Sequence, residues 1–247
     1  VSESAEALRV PLTPPQAVEQ VAALRWRADA PVARPGLVLT HGAGSDLGDP
    51  VLRDLVERLA AGGTPVLAFE LPYAAAGRRR PDPMRRLEAA YRDVLAAAGA
   101  ALGPRPLVVG GRSLGGRVAS HVVAGGAEVA GLCLLAYPLH PEGRPDRLRT
   151  DHWPRLVVPT LLVSGDRDRL CGRDLLDAQV PALAGPRTVH VLAGADHGFT
   201  VRARDRRTTD EVRAEAAEVV QRWLHDLGAE APGNEADAPA SPGTGRR

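Results

Sequence analysis

The chain has 247 residues, 44% of them hydrophobic, and 31 Lys plus Arg against 30 Asp plus Glu give a formal net charge of +1 at pH 7. That length suits one large domain with a substantial core, and so even a charge balance supplies no basic surface for nucleic acid or an anionic membrane. No apolar run reaches the roughly 18 residues a membrane-spanning helix needs, and the two cysteines, Cys133 and Cys171, make neither a CxxC pair nor a metal-ligand cluster.

Residues 1–12 are expected to be loose. Val1–Glu6 lacks the basic-then-apolar pattern of a secretory leader. Cys133, inside an apolar run, reads as a small buried hydrophobe. Together these point to a reducing compartment and a cytoplasmic protein. Val18 to Trp26 alternates apolar and polar residues and predicts a strand. Gly36 to Thr40 (GLVLT) predicts a short buried strand. Pro50 to Ala60 spaces Val51, Leu52, Leu55, Val56 and Leu59 as a helix does, with Asp49 placed to cap it and Pro50 at its first position. A strand follows at Pro65 to Phe69 and a helix at Pro83 to Ala98. Pro106 to Val109 (PLVV) predicts a strand, Ser113 to Ala124 a helix and Gly131 to Ala136 a strand. Thr160 to Ser164 predicts a strand, Arg173 to Leu183 a helix and Thr188 to Leu192 a strand. Asp210 to Leu227 has the period of a long amphipathic helix, and 228–247, rich in Ala, Pro, Gly and Glu, predicts a disordered tail. Short apolar strands alternating with helices predict an α/β fold: a mostly parallel sheet covered on both faces, filling one domain over 13–227. In such sheets the chemistry lies beyond the carboxyl ends of the strands.

There, PLVV runs through Gly110 into Gly111-Arg112-Ser113-Leu114-Gly115, a G-x-S-x-G pattern between a predicted strand and a predicted helix. A serine on so sharp a turn is held in a strained conformation with its oxygen exposed, and glycines two before and two after it avoid collision with the neighbouring strand and helix. The bland alternative is an ordinary N-cap serine. Gly42, Gly44 and Gly48 imitate a dinucleotide fingerprint, but G-x-G-x-x-G requires its third glycine at 47, and the helix begins late, near Pro50.

With HGAGSD at 41–46, GRSLGGRVAS at 111–120 and AYPLHPEGRPDRLRTDH at 136–152, the chain resembles the α/β hydrolases over residues 35–225. Within them it looks like the testis-expressed and histone-acetyltransferase-complex-associated hydrolase-like family, related to dienelactone hydrolases. The usual nucleophile of dienelactone hydrolases is cysteine, where this chain has Ser113. The resemblance implies an α/β-hydrolase fold with a minimal lid and a triad in the order Ser, Asp, His. Ser113 is the expected nucleophile. Asp168, three positions after the glycine that ends TLLVSG, is the expected acid, with Asp166 as its competitor. His197, on the loop after TVHVL, is the expected base. The backbone N–H groups of Leu114 and Ala43 are the expected oxyanion donors, and His41 is expected to orient the Ala43 loop. His190 and His121 read as structural. The Leu139–Val158 segment, about twenty residues, is too short for a cap domain. His140, Arg144, Arg147, Arg149, His152 and Trp153 could line the site mouth there, or the segment could be a solvated loop. Arg78–Arg80 and Arg85–Arg86 could meet an acidic group or form a solvated face. The expected activity is an esterase or thioesterase on a small acyl ester, with no cofactor and a small-molecule substrate as partner; the alternative is a catalytically silent interaction module.

Overall fold

The computed structural model describes residues 5–27 and 34–229. Among them, eight strands form one sheet in the order β1-β2-β4-β3-β5-β6-β7-β8. The strands are β1 (Glu6–Pro11), β2 (Gln20–Trp26), β3 (Gly36–Thr40), β4 (Val66–Phe69), β5 (Leu107–Arg112), β6 (Gly131–Leu135), β7 (Thr160–Gly165) and β8 (Arg187–Leu192). β2 pairs antiparallel with β1 and β4, and every pairing from β4 to β8 is parallel. The helices are α1 (Pro50–Ala61), α2 (Pro72–Ala75), α3 (Met84–Leu102), α4 (Leu114–Ala124), α5 (Arg173–Gln179) and α6 (Thr209–Ala229).

The continuous apolar strands bury both faces by alternation. Val38, Val109, Leu132 and Leu134 point to a core shared with α3 and α4. Leu37, Leu39, Val108, Cys133 and Leu135 point to the opposite core, closed by α1 and α6. Asp49 caps α1 as expected, its Oδ1 accepting from the N–H groups of Val51 and Leu52 at 3.0 Å each. From β3 the chain crosses to β4 on one side, and from β5 to β6 on the other. The gap between the carboxyl ends of β3 and β5 is thus the switch point of the sheet, where such folds hold ligands.

One expectation is corrected at the N-terminus. Residues 6–11, read as loose, form β1, because Leu8, Val10 and Leu12 alternate on one face and pair against the open edge of β2, Val10 opposite Val21. Val10 and Leu12 are buried there. The expected tail starts inside α6, which runs to Ala229; its remainder lies outside the described residues. The Arg173–Leu183 helix ends at Gln179 and tightens into a 3-10 turn over Val180–Ala182, where Pro181 removes a helical donor. No helix among the described residues is long and apolar enough to cross a membrane.

Candidate active site

The site is built on the turn from β5 to α4. Ser113 has φ 51° and ψ −111°, a conformation rarely open to a residue with a Cβ. Its N–H donates to the Leu135 carbonyl of β6 at 2.8 Å and its carbonyl accepts from Arg117 N–H at 3.1 Å, so both neighbours hold the turn. The flanking glycines are required by contact. A Cβ on Gly111 would lie 2.7 Å from the Thr40 carbonyl oxygen and one on Gly115 only 2.4 Å from it. Beneath the turn, the buried Tyr91 hydroxyl accepts from Gly110 N–H at 2.9 Å and sits 2.9 Å from the Val38 carbonyl, tying β5 to β3.

Asp168 and His197 arrive from the ends of β7 and β8. At the end of β7, Gly165 lets the chain pass against the histidine loop, since a Cβ there would meet the Ala195 oxygen at 2.1 Å. Asp168 is 2% exposed; its Oδ1 accepts from Leu170 N–H at 2.8 Å and its Oδ2 lies 2.8 Å from His197 Nδ1. His197 Nε2 lies 2.9 Å from Ser113 Oγ. With its proton on Nδ1, the ring donates to Asp168 and accepts from the serine hydroxyl. The competing Asp166 turns away to accept from Gly194 N–H at 2.8 Å. Asp196 braces the loop by accepting from Gly198 N–H, Thr200 N–H and the Thr200 hydroxyl at 2.8, 3.1 and 2.7 Å. Burial pushes the Asp196 carboxyl up, but these hydrogen bonds outweigh it and hold its pKa below the ordinary range.

The loop after β3 brings Ala43 to the same cavity as Ser113 and Leu114, about 400 Å³ in volume. Neither the Ala43 nor the Leu114 N–H donates to another group among the described residues. His41 is buried under this loop. Leu71 N–H donates to its Nε2 at 3.0 Å, so the ring proton is on Nδ1 and donates to the Gly42 carbonyl at 2.8 Å. Burial pushes the His41 pKa down, in keeping with a neutral ring. Its contacts are those of a loop support.

Two arrangements escaped the sequence. Arg112, a variable position of the pattern, donates to Asp49 Oδ2 at 3.2 Å and to the His197 carbonyl at 3.3 Å, joining the serine turn, the α1 cap and the histidine loop. Arg117, four residues after Ser113 on α4, lines the serine cavity with Arg149; helical spacing from the serine was the signal for it. The Leu139–Val158 segment combines two behaviours. Its middle, 142–148, is exposed, while Leu139, His152, Trp153 and Leu156 are fully buried beneath it. His152 and Trp153 therefore do not line the mouth, and Arg144 and Arg147 stay in solvent. His121 stacks on His152 with ring centroids 3.9 Å apart, and His190 is bound to Glu215 at 2.6 Å. Arg78 pairs with Asp82 at 3.0 Å, and Arg79, Arg80, Arg85 and Arg86 are exposed. Burial pushes the thiols of Cys133 and Cys171 up to about 12, so neither is available as a thiolate at neutral pH.

A mostly parallel eight-stranded sheet with helices on both faces and a serine on the strand-to-helix turn beside its switch point defines an α/β hydrolase fold. The family model described as alpha/beta hydrolase domain matches residues 33–225, and the chain belongs to that family. It is similar in structure to an alpha-beta serine hydrolase homologue from Coxiella burnetii, with a TM-score of 0.69 at 20% identity over 90% of this chain and 98% of that one. A serine hydrolase without lid from Xanthomonas campestris matches with a TM-score of 0.65 at 18% identity over 90% and 95% of the two chains. A dienelactone hydrolase from Anabaena variabilis matches with a TM-score of 0.71 at 19% identity over 92% and 99%. At these identities the likeness is one of fold.

Proposed function

We propose that the protein is a serine hydrolase of the esterase or thioesterase type, acting on a small acyl ester through Ser113, His197 and Asp168. The observation that carries this reading is the unbroken chain from Asp168 Oδ2 through the His197 ring to Ser113 Oγ, with links of 2.8 and 2.9 Å. In the proposed reaction Ser113 Oγ attacks the ester carbonyl carbon as its proton passes to His197 Nε2. Asp168 stabilises the imidazolium and fixes its tautomer. The N–H groups of Ala43 and Leu114 hold the oxyanion. His197 then protonates the departing alcohol or thiol, leaving an acyl-Ser113 ester. Water, deprotonated by His197, attacks that ester and restores the serine. The exposed middle of the Leu139–Val158 segment leaves the cavity open, which favours small substrates. The segments at 41–46, 111–120 and 136–152 support the narrower testis-expressed and histone-acetyltransferase-complex-associated group. The two buried free thiols support a cytoplasmic location.

Labelling with a fluorophosphonate probe tests the reading. Wild type should label, Ser113→Ala should not, and His197→Ala should label far more slowly. A folded wild type that does not label would overturn it and favour a catalytically silent interaction module.

A further inference from the structure

Arg117 and Arg149 lie in the wall of the cavity that holds Ser113, and neither has a carboxylate partner within 4.0 Å among the described residues. Among the described residues Arg34, Arg105 and Arg213 are also partly buried without a carboxylate within 4.0 Å, but none of them lines this cavity. Arg117 stands one helical turn beyond the nucleophile on α4, and its Nε is buried without a hydrogen-bond partner. Arg149 is fixed by its backbone: its N–H donates to the Leu139 carbonyl at 2.8 Å, and its carbonyl accepts from the Tyr137 hydroxyl at 2.7 Å. Its side chain makes only a long 3.4 Å contact with the His140 carbonyl. Burial and then the charge of Arg117 push the Arg149 pKa down, so the two guanidiniums feel each other across the cavity. Two acids share the lining. Asp82 is neutralised by Arg78, with contacts of 3.0 and 3.1 Å, and Glu142 is exposed at the rim without an ion pair to either arginine. The cavity thus sets two half-buried, like-charged guanidiniums beside Ser113, an arrangement whose repulsion a bound anionic group would relieve.

We propose that Arg117 and Arg149 form a carboxylate subsite, so that the preferred substrate is an ester bearing a carboxylate a few atoms from its scissile carbonyl. A guanidinium fork suits a carboxylate because it offers paired, charge-assisted donors. This inference rests on the serine hydrolase reading and narrows its substrate class.

Two measurements test it. In the first, Ser113 is labelled with the fluorophosphonate probe in the presence of glutarate or of the uncharged glutaramide. Glutarate should slow labelling at concentrations at least about tenfold lower than glutaramide, and Arg117→Gln and Arg149→Gln should each abolish that difference, with circular dichroism reporting the fold. Equal protection by the two compounds overturns the subsite and leaves the hydrolase reading standing. A wild type that does not label overturns both. In the second, kcat/KM is compared within matched pairs: monoethyl glutarate with ethyl pentanoate, and 3-acetoxybenzoate with 3-methylphenyl acetate. The charged member of one pair should win by tenfold or more, mainly through KM. A win in the first pair places the carboxylate on the acyl side; a win in the second places it on the leaving group. A ratio near one in both pairs, or one unchanged by both arginine substitutions, overturns the inference.

Discussion

Ser113 holds φ 51° and ψ −111°, and a non-glycine residue in so sparsely populated a region carries roughly 1–3 kcal/mol of strain. The strain is kept because it aims Oγ at His197, and it makes a prediction opposite in sign to most substitutions at a buried site. Ser113→Gly should gain on the order of 1 kcal/mol, since glycine accepts the conformation while its greater unfolded-state freedom offsets part of the relief. Thermal unfolding should rise by about 2–4 °C while probe labelling disappears. An unchanged or lower midpoint would show that the turn is not under strain. The two candidate acids separate equally sharply. Asp168→Asn should lower the rate by roughly 10⁴ by favouring the wrong histidine tautomer, whereas Asp166→Asn, whose oxygen can still accept from Gly194 N–H, should change it less than about threefold. Steady-state hydrolysis of a small ester by the two variants decides between them. Ser113 and His197 were legible from local pattern, a glycine-framed serine and a histidine past a strand end. The choice of Asp168 over Asp166 needed the resemblance, because two carboxylates two residues apart on one loop differ only in which way the turn points them.

At the scale of elements, the site depends on how closely β3 approaches the β5–α4 turn. Gly115→Ala would drive a Cβ to 2.4 Å from the Thr40 oxygen and 2.8 Å from the His41 oxygen, both backbone atoms with little freedom to move. The expected cost is about 2–3 kcal/mol, read as a lower urea midpoint. Activity should fall further than stability, because the displaced loop carries Ala43, the proposed oxyanion donor. The Arg112 bridge has its own consequence. Asp49→Ala removes the α1 cap, worth about 1 kcal/mol, and also deprives a guanidinium that is 15% exposed of its carboxylate partner. Asp49→Asn keeps the cap but weakens the ion pair, so it should restore most of the stability while leaving the histidine loop less firmly held. These relations between elements were hardest to see in the sequence. The alternating strands and helices of 36–136 follow from continuous apolar runs and 3.6-residue spacing. β1 did not, because the short alternation of Leu8, Val10 and Leu12 gains its burial only once the strand pairs with β2 and packs on α3. The Trp153–Arg155 turn did not, because a loop rich in Pro and Arg does not disclose that one end of it packs into the core.

For the whole molecule, the histidines set how stability responds to acid. His152 is fully buried where the segment after β6 packs on α4, and it contacts that helix twice, by the stack on His121 and through Ser120. The Ser120 hydroxyl proton goes to the Arg117 carbonyl at 2.7 Å, so His152 Nε2–H is the donor to Ser120 Oγ, at 2.8 Å. Its Nδ1 is left unprotonated and without a hydrogen bond. Burial, and after it the adjacent His121, pushes the His152 pKa down to about 4, against the pull of Asp151. Burial lowers His121 as well, Arg117 and Arg155 adding to the effect and Glu88 and Asp151 opposing it. A histidine lowered on folding takes up its proton in the unfolded chain first. The unfolded state therefore binds more protons between pH 6.5 and about 4, and stability rises with pH across that window. Going down in pH, the stability that His152 contributes by staying neutral is lost progressively from 6.5, on the order of 2 kcal/mol by pH 4. Glu70, raised by its own burial, works the other way but is one half-buried group against three histidines. Carboxylates held low, such as Asp196, add their loss only at the acid end of the range. Urea midpoints at pH 7.5, 6 and 4.5 should fall in that order, and His152→Gln, which can still donate to Ser120, should flatten the decline most between the last two. A decline of the same slope in that variant would move the titrating group elsewhere, with His41 under the Ala43 loop the next to replace.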